Sequence, residues 1–187
     1  MSQVAFPALE RLDQIISLTI RQAGSTPLNL NFNHLGIAVP DCGEAAKWYA
    51  ENLGFRVVTA LPIYINRDDE PDHPVFDIYP AHLREVKIMV LNMGNNIAFE
   101  IFEFIDPKME HPATFDITRG GMFHFAITHP YPDELCERII AAGGKKIGKT
   151  VCRSPPDSAL YVQDPWGNVI EVLSAGFAAG WVKLRAG

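Results

Sequence analysis

Two histidines lie at equivalent places in this sequence and have the chemistry of metal ligands. His34 opens residues 34–39, and His124 lies within residues 123–128. Apolar residues alternate with small or polar ones in both runs, so each is predicted to be a β-strand whose side chains point alternately to opposite faces. Each histidine then shares its face with small residues, which leave open space beside the imidazole.

Two glutamates extend this pattern. Glu100 lies in the predicted strand 97–104 and Glu171 in the predicted strand 169–173, each in an otherwise apolar row. A carboxylate in an apolar row is costly to bury unless it is paired or binds a cation. Glu103 lies in the opposite row from Glu100 and is expected to face solvent.

Together these four side chains predict one divalent metal ion. Two neutral imidazoles and two carboxylates suit Ni, Co, Zn, Mn or Fe(II). A six-coordinate ion with four protein ligands keeps two positions for water or substrate, which is typical of a catalytic site. The ligands converge if the two halves of the chain pack as pseudo-twofold partners.

Internal repetition supports this arrangement. Twenty positions separate His34 from Gly54, and twenty separate His124 from Gly144. Each half reads as strand, helix and three further strands, a βαβββ module. In the first, Asp41 and Glu44 are placed as a helix N-cap and its partner, and Gly54 is expected to end that helix.

The remaining segments are assigned from composition and periodicity. Residues 61–84 hold four prolines and are expected to form an irregular excursion. Residues 1–30 are predicted to be a helical extension, and 175–187 a surface tail. The domain boundaries are 31–174 for one domain, divided into module one, a linker and module two (31–105, 106–121, 122–174). The other predicted elements are strands at 55–58, 85–93, 145–151 and 160–163 and a helix at 132–142.

Composition and cysteine usage favour a cytoplasmic protein. The net charge of −6 argues against a nucleic-acid surface, and no apolar run is long enough to span a membrane. The three cysteines, expected to be packing residues, form no CxxC motif and fit a reducing compartment. Four further histidines are expected at the surface: His73, His82, His111 and His129.

These motifs resemble the vicinal oxygen chelate superfamily, which includes glyoxalases, bleomycin-resistance proteins and extradiol dioxygenases. The resemblance spans about residues 32–173 and rests on residues 34–39, 99–104, 123–127 and 164–171. It implies an α+β fold whose two βαβββ modules form a cupped, eight-stranded mixed sheet. It also implies a metal site made by His34, Glu100, His124 and Glu171.

The ligand set is similar to that of bacterial glyoxalase I, which implies a metal-dependent lyase or isomerase. Such an enzyme chelates two vicinal oxygens of its substrate and stabilises an enediolate, with Glu171 as general base and Glu100 as a second catalytic candidate. Ala38 and Phe104 stand where that group has its glutathione-binding arginine and asparagine. Glutathione is therefore disfavoured.

Two other activities occur in the superfamily. One is ring cleavage by an Fe(II) extradiol dioxygenase, which normally uses only three protein ligands. The other is sequestration of a small molecule without catalysis, as in resistance proteins. The resemblance also favours a homodimer.

Overall fold

The computed structural model describes residues 30–110, 116–118 and 120–183. From Asn33 onward the chain forms one compact unit. The predicted N-terminal helix and His111 lie outside the described residues.

Nine strands and four helices make up the described fold. The strands are β1 His34–Ala38, β2 Arg56–Val57, β3 Ile63–Asn66, β4 Glu85–Asn92, β5 Ala98–Asp106, β6 Phe125–Thr128, β7 Lys145–Ser154, β8 Asp157–Gln163 and β9 Val169–Leu173. The helices are α1 Cys42–Leu53, α2 Val75–Ile78, α3 Pro132–Ala141 and α4 Ala175–Lys183, with a 3-10 turn at Gly94–Asn96.

The fold is α+β with two βαβββ modules, as predicted. Module one has the strand order β1-β5-β4-β2, and module two has β6-β9-β8-β7. In both, the first strand pairs in parallel with the last, and the other neighbours are antiparallel. The described strands form two sheets, of five and four strands, where one sheet of eight was predicted.

The ninth strand lies in the segment expected to be irregular. β3 pairs with β4, and the short helix α2 follows it. Pro62 and Pro71 lie outside β3, so the prolines bound the strand without removing any donor that its ladder needs.

Helix α1 begins and ends as predicted. The side chain of Asp41 accepts a hydrogen bond from the backbone N–H of Glu44 at 2.8 Å. Gly54 closes the helix with φ 71°, in the left-handed region that glycine adopts without a Cβ penalty.

One hydrophobic core is shared by the two modules. It contains the inner face of each sheet and the buried sides of α1 and α3. The Tyr49 hydroxyl donates to Asp164 at 2.6 Å, and the Trp48 indole donates to the backbone oxygen of Ala142 at 2.8 Å. Side chains of α1 therefore tie module one to two turns of module two.

Several boundaries from module two onward differ from the prediction. β7 extends to Ser154 and β8 begins at Asp157, whereas the predicted strands were 145–151 and 160–163. His124 precedes β6 by one residue, whereas it was expected inside the strand. The expected surface tail contains helix α4, which lies against β8. Within the described residues, no helix combines the length and hydrophobicity needed to cross a bilayer.

Candidate metal centre

The first histidine–glutamate pair lies on neighbouring strands of module one. The parallel register of β1 and β5 places Gly36 opposite Glu100. His34, two residues before Gly36, therefore lies on the same face of the sheet as Glu100. His34 Nε2 is 3.7 Å from Glu100 Oε2. His34 Nδ1 is 2.8 Å from Asn33 Oδ1, and a hydrogen bond donated by Nδ1 to this oxygen would leave Nε2 to bind a metal.

The second pair occupies the corresponding place in module two. His124 Nε2 is 3.4 Å from Glu171 Oε2, and both side chains are more buried than in the first pair. His124 Nδ1 is buried and has no hydrogen-bond partner among the described residues. Aromatic rings hold this imidazole, because Phe123 and Tyr161 lie 4.4 Å and 5.3 Å from it between centroids.

Tyr161 is a candidate site residue that the sequence patterns did not single out. It lies directly opposite Glu171 in the β8–β9 hairpin. Burial, followed by a hydrogen bond to Glu171 and the charge of that carboxylate, raises the pKa of Tyr161. The sequence could have predicted this contact, because two strands paired symmetrically about the turn 164–168 place Tyr161 opposite Glu171.

Each pair has a spacing compatible with binding one ion. Nitrogen and oxygen ligands about 2.0–2.2 Å from a metal, at angles between octahedral and tetrahedral, lie roughly 3.0–3.5 Å apart. The separation of 3.4 Å already lies in this range, and that of 3.7 Å needs only a small inward movement. The donor set of each pair therefore fits a borderline divalent ion.

The four predicted ligands do not come together at one site within a single chain. Among the described residues, no cluster of three or more histidine, cysteine, aspartate or glutamate side chains could hold an ion. The sheet faces that carry the pairs are opposite those that line the shared core, since Leu35, Phe99, Ile170 and Val172 fill that core. The structure thus presents two separate histidine–glutamate pairs, each a candidate half-site.

Glu103 has a different role from Glu100. It was expected to face solvent, and this prediction is wrong. Its carboxylate accepts from the backbone N–H of Cys42 at 3.2 Å and from Lys87 Nζ at 3.0 Å. It therefore holds the first turn of α1 on the core side of the sheet. Burial, with a further contribution from Glu103, raises the pKa of the Cys42 thiol to about 12.

Three of the other histidines lie in loops, apart from both pairs. His82 is exposed. His73 Nδ1 accepts from the Val75 backbone at 3.2 Å, and His129 Nδ1 accepts from the Tyr131 backbone at 3.1 Å. Each of these two bonds stabilises a local turn.

The chain is therefore a two-module α+β protein in which each βαβββ module contains one histidine–glutamate pair. Residues 31–172 match the sequence model of the Glyoxalase/Bleomycin resistance protein/Dioxygenase superfamily. The chain belongs to this family. No curated protein matches it.

Solved structures of similar fold are glyoxalase family proteins. A glyoxalase family protein from Bacillus cereus has a TM-score of 0.66 at 15% identity, over 81% of this chain and 98% of that one. The trypanothione-dependent glyoxalase I of Leishmania major has a TM-score of 0.56 at 18% identity, over 84% and 95%. Maize glyoxalase I has a TM-score of 0.52 at 21% identity, over 76% of this chain and 44% of that one.

Proposed function

We propose that this protein is a cytoplasmic, metal-dependent lyase or isomerase of the glyoxalase type. Its substrate is a small molecule with two neighbouring oxygens. The observation that carries the proposal is the repetition of one His–Glu pair, at 3.7 Å and 3.4 Å, on the same face of both modules. Chance placement of a histidine or glutamate does not favour equivalent positions in two copies.

A homodimer would complete the site. His34 and Glu100 of one copy would share an ion with the second pair, His124 and Glu171, of another copy. Apolar surface beside the second pair supports such a contact, since Met122 is 69% exposed just before His124. Methionine is enriched in protein–protein interfaces relative to the rest of the protein surface.

The four side chains fit a divalent ion such as Ni, Co, Zn, Mn or Fe(II). When bound, the ion would supply Lewis-acid stabilisation of negative charge on the substrate oxygens. Glu171 is the proposed general base and takes the proton from the carbon beside the carbonyl. Tyr161 lies directly opposite Glu171 in the β8–β9 register and is the side chain that would orient this carboxylate.

Metal content is the first test. Elemental analysis of protein purified without an affinity tag should find stoichiometric divalent metal in the wild type and much less in Glu100→Gln. Glu103→Gln is the matched control, because it lies on the same strand but on the opposite face. Its metal content should equal that of the wild type.

Proton exchange tests the chemistry. Hydroxyacetone incubated with the protein in deuterium oxide should exchange its carbon-bound protons beside the carbonyl, followed by proton NMR. Glu171→Gln should abolish this exchange while leaving the fold intact.

The other activities of the family correspond to other outcomes. Metal that survives Glu100→Gln would favour a three-ligand site and ring cleavage by an Fe(II) dioxygenase. Absence of metal from all variants would favour sequestration without catalysis.

A further inference from the structure

Aromatic side chains extend the face of module one that carries His34 and Glu100. The register of β4 and β5 places Phe102 and Phe104 on this face, beyond Glu100. The two rings are nearly parallel, at an interplanar angle of 12° with centroids 5.8 Å apart. They form a flat apolar surface that begins two residues from a proposed metal ligand.

Gly36 keeps this surface close to the histidine–glutamate pair. A Cβ built on Gly36 would lie 3.4 Å from Cε2 of Phe102, so the phenylalanine ring occupies the space above the glycine. Gly36 is opposite Glu100 and two residues after His34 on the same strand face. The ring surface and the ligand pair are therefore continuous.

The segment from β3 to Leu83 supplies the far wall. Tyr79 lies 6.3 Å from Phe102 and from Phe104 between ring centroids, meeting both at steep angles. Beneath these rings is a second hydrophobic cluster, made of Ile65, Val75, Phe76, Leu83 and Val86. This cluster fixes the segment on the sheet, so the wall is built into the fold.

The chemistry of the wall selects an uncharged, flat group. Phe102, Phe104 and Tyr79 are only partly buried, so their rings are accessible to a ligand. Lys87 and Glu103, the charged residues that immediately follow Val86 and Phe102, are paired with each other on the opposite face of the sheet. Aromatic side chains make favourable stacked and edge-to-face contacts with another aromatic ring.

We propose that Phe102, Phe104 and Tyr79 form a subsite, called here the aromatic subsite, for an aryl group of the substrate. The preferred substrate class is an aryl compound with oxygens on two neighbouring carbons, the first of which is bonded to the ring. The inference rests on the proposed function, since the oxygens would be held at the His–Glu site.

A matched pair of ligands tests the subsite. 2-Hydroxyacetophenone and hydroxyacetone share the same hydroxyl and carbonyl oxygens and differ only in a phenyl or a methyl group. Affinities measured by ligand-observed NMR should favour the phenyl ketone by about tenfold or more, because the larger group buries more apolar surface. Equal affinities would overturn the proposal.

Three variants locate the contact. Tyr79→Ala should lower the phenyl-over-methyl preference several-fold, and Phe102→Leu, which keeps an apolar side chain, should also lower it. Tyr64→Ala is the control, because Tyr64 pairs with Lys87 and lies on the opposite face of the same sheet. A phenyl preference that survives both Tyr79→Ala and Phe102→Leu would refute this placement.

Removal of metal separates this proposal from the proposed function. After chelator treatment, saturation transfer to the phenyl protons should persist, because the rings of the subsite do not depend on an ion. Loss of that transfer in the chelator-treated protein would refute an independent aromatic subsite. Phenyl binding in a protein that never contains metal would instead refute only the metal-dependent function.

Discussion

Metal binding should be restored when two inactive variants are combined. His34→Ala removes a ligand from the first half-site, and His124→Ala removes one from the second. If each ion is shared between two copies, a mixed dimer contains one site with both defects and one site with none. Neither variant should bind metal stoichiometrically by itself.

The expected recovery follows from random pairing. An equal mixture of the two variants, refolded together from urea, makes about half of the dimers mixed, so about a quarter of all sites are intact. The assay is elemental analysis after gel filtration, with native mass spectrometry to count mixed dimers. No recovered metal despite abundant mixed dimers would refute sharing between copies.

A second mixture checks the same reasoning from the opposite direction. Wild type combined with the His34→Ala/His124→Ala double variant should keep about a quarter of its sites if ligands are shared, and about half if each chain holds its own ion. The geometry favours the lower value, since one chain gathers no three ligand side chains among its described residues.

Three further predictions concern the fold. Tyr49→Phe removes the 2.6 Å hydrogen bond to a buried carboxylate of the turn before β9 and should lower the free energy of unfolding in urea by about 1–3 kcal/mol. Gly144→Ala should cost about 3 kcal/mol in the same assay, because its Cβ would lie 2.4 Å from a backbone oxygen of β8, whereas Gly94→Ala, with no atom within 4 Å, should cost little. At pH 8 the native protein should show one rapidly modified thiol, that of the exposed Cys152. Burial raises the pKa of Cys42 to about 12, which lowers its thiolate fraction about a thousandfold relative to an ordinary thiol. Rapid labelling of Cys42 in the folded protein would contradict this prediction.

Local patterns were sufficient for most elements of the two modules. The Asp41 cap and the left-handed Gly54 fix the ends of α1 through contacts within a few residues. The alternation of apolar residues identified β1 and β9, because the apolar row of a strand must face the core in any packing. The pairing of His34 with Glu100 then depends only on which strands are neighbours.

Interactions between distant residues explain what the patterns missed. β3 is stabilised by pairing with β4 and by the second hydrophobic cluster. The alternation of its two isoleucines extends over only four residues of a proline-rich segment, which is too short to identify a strand with certainty. Glu103 looks like a surface residue in the sequence, yet it is bound by Lys87 and by the N-terminal turn of α1. Tyr161 acquires significance only because the hairpin register places it opposite Glu171.

The sequence by itself determined the duplicated βαβββ order and the four histidine and glutamate positions, since both depend on period and on spacing within one module. Only the tertiary structure decided how the modules share a core, and therefore that the pairs lie on faces turned away from it. It also decided that the segment from β3 to Leu83 folds onto the first of these faces. The physical reason is that packing between modules depends on which apolar surfaces fit together, and no local pattern encodes that fit.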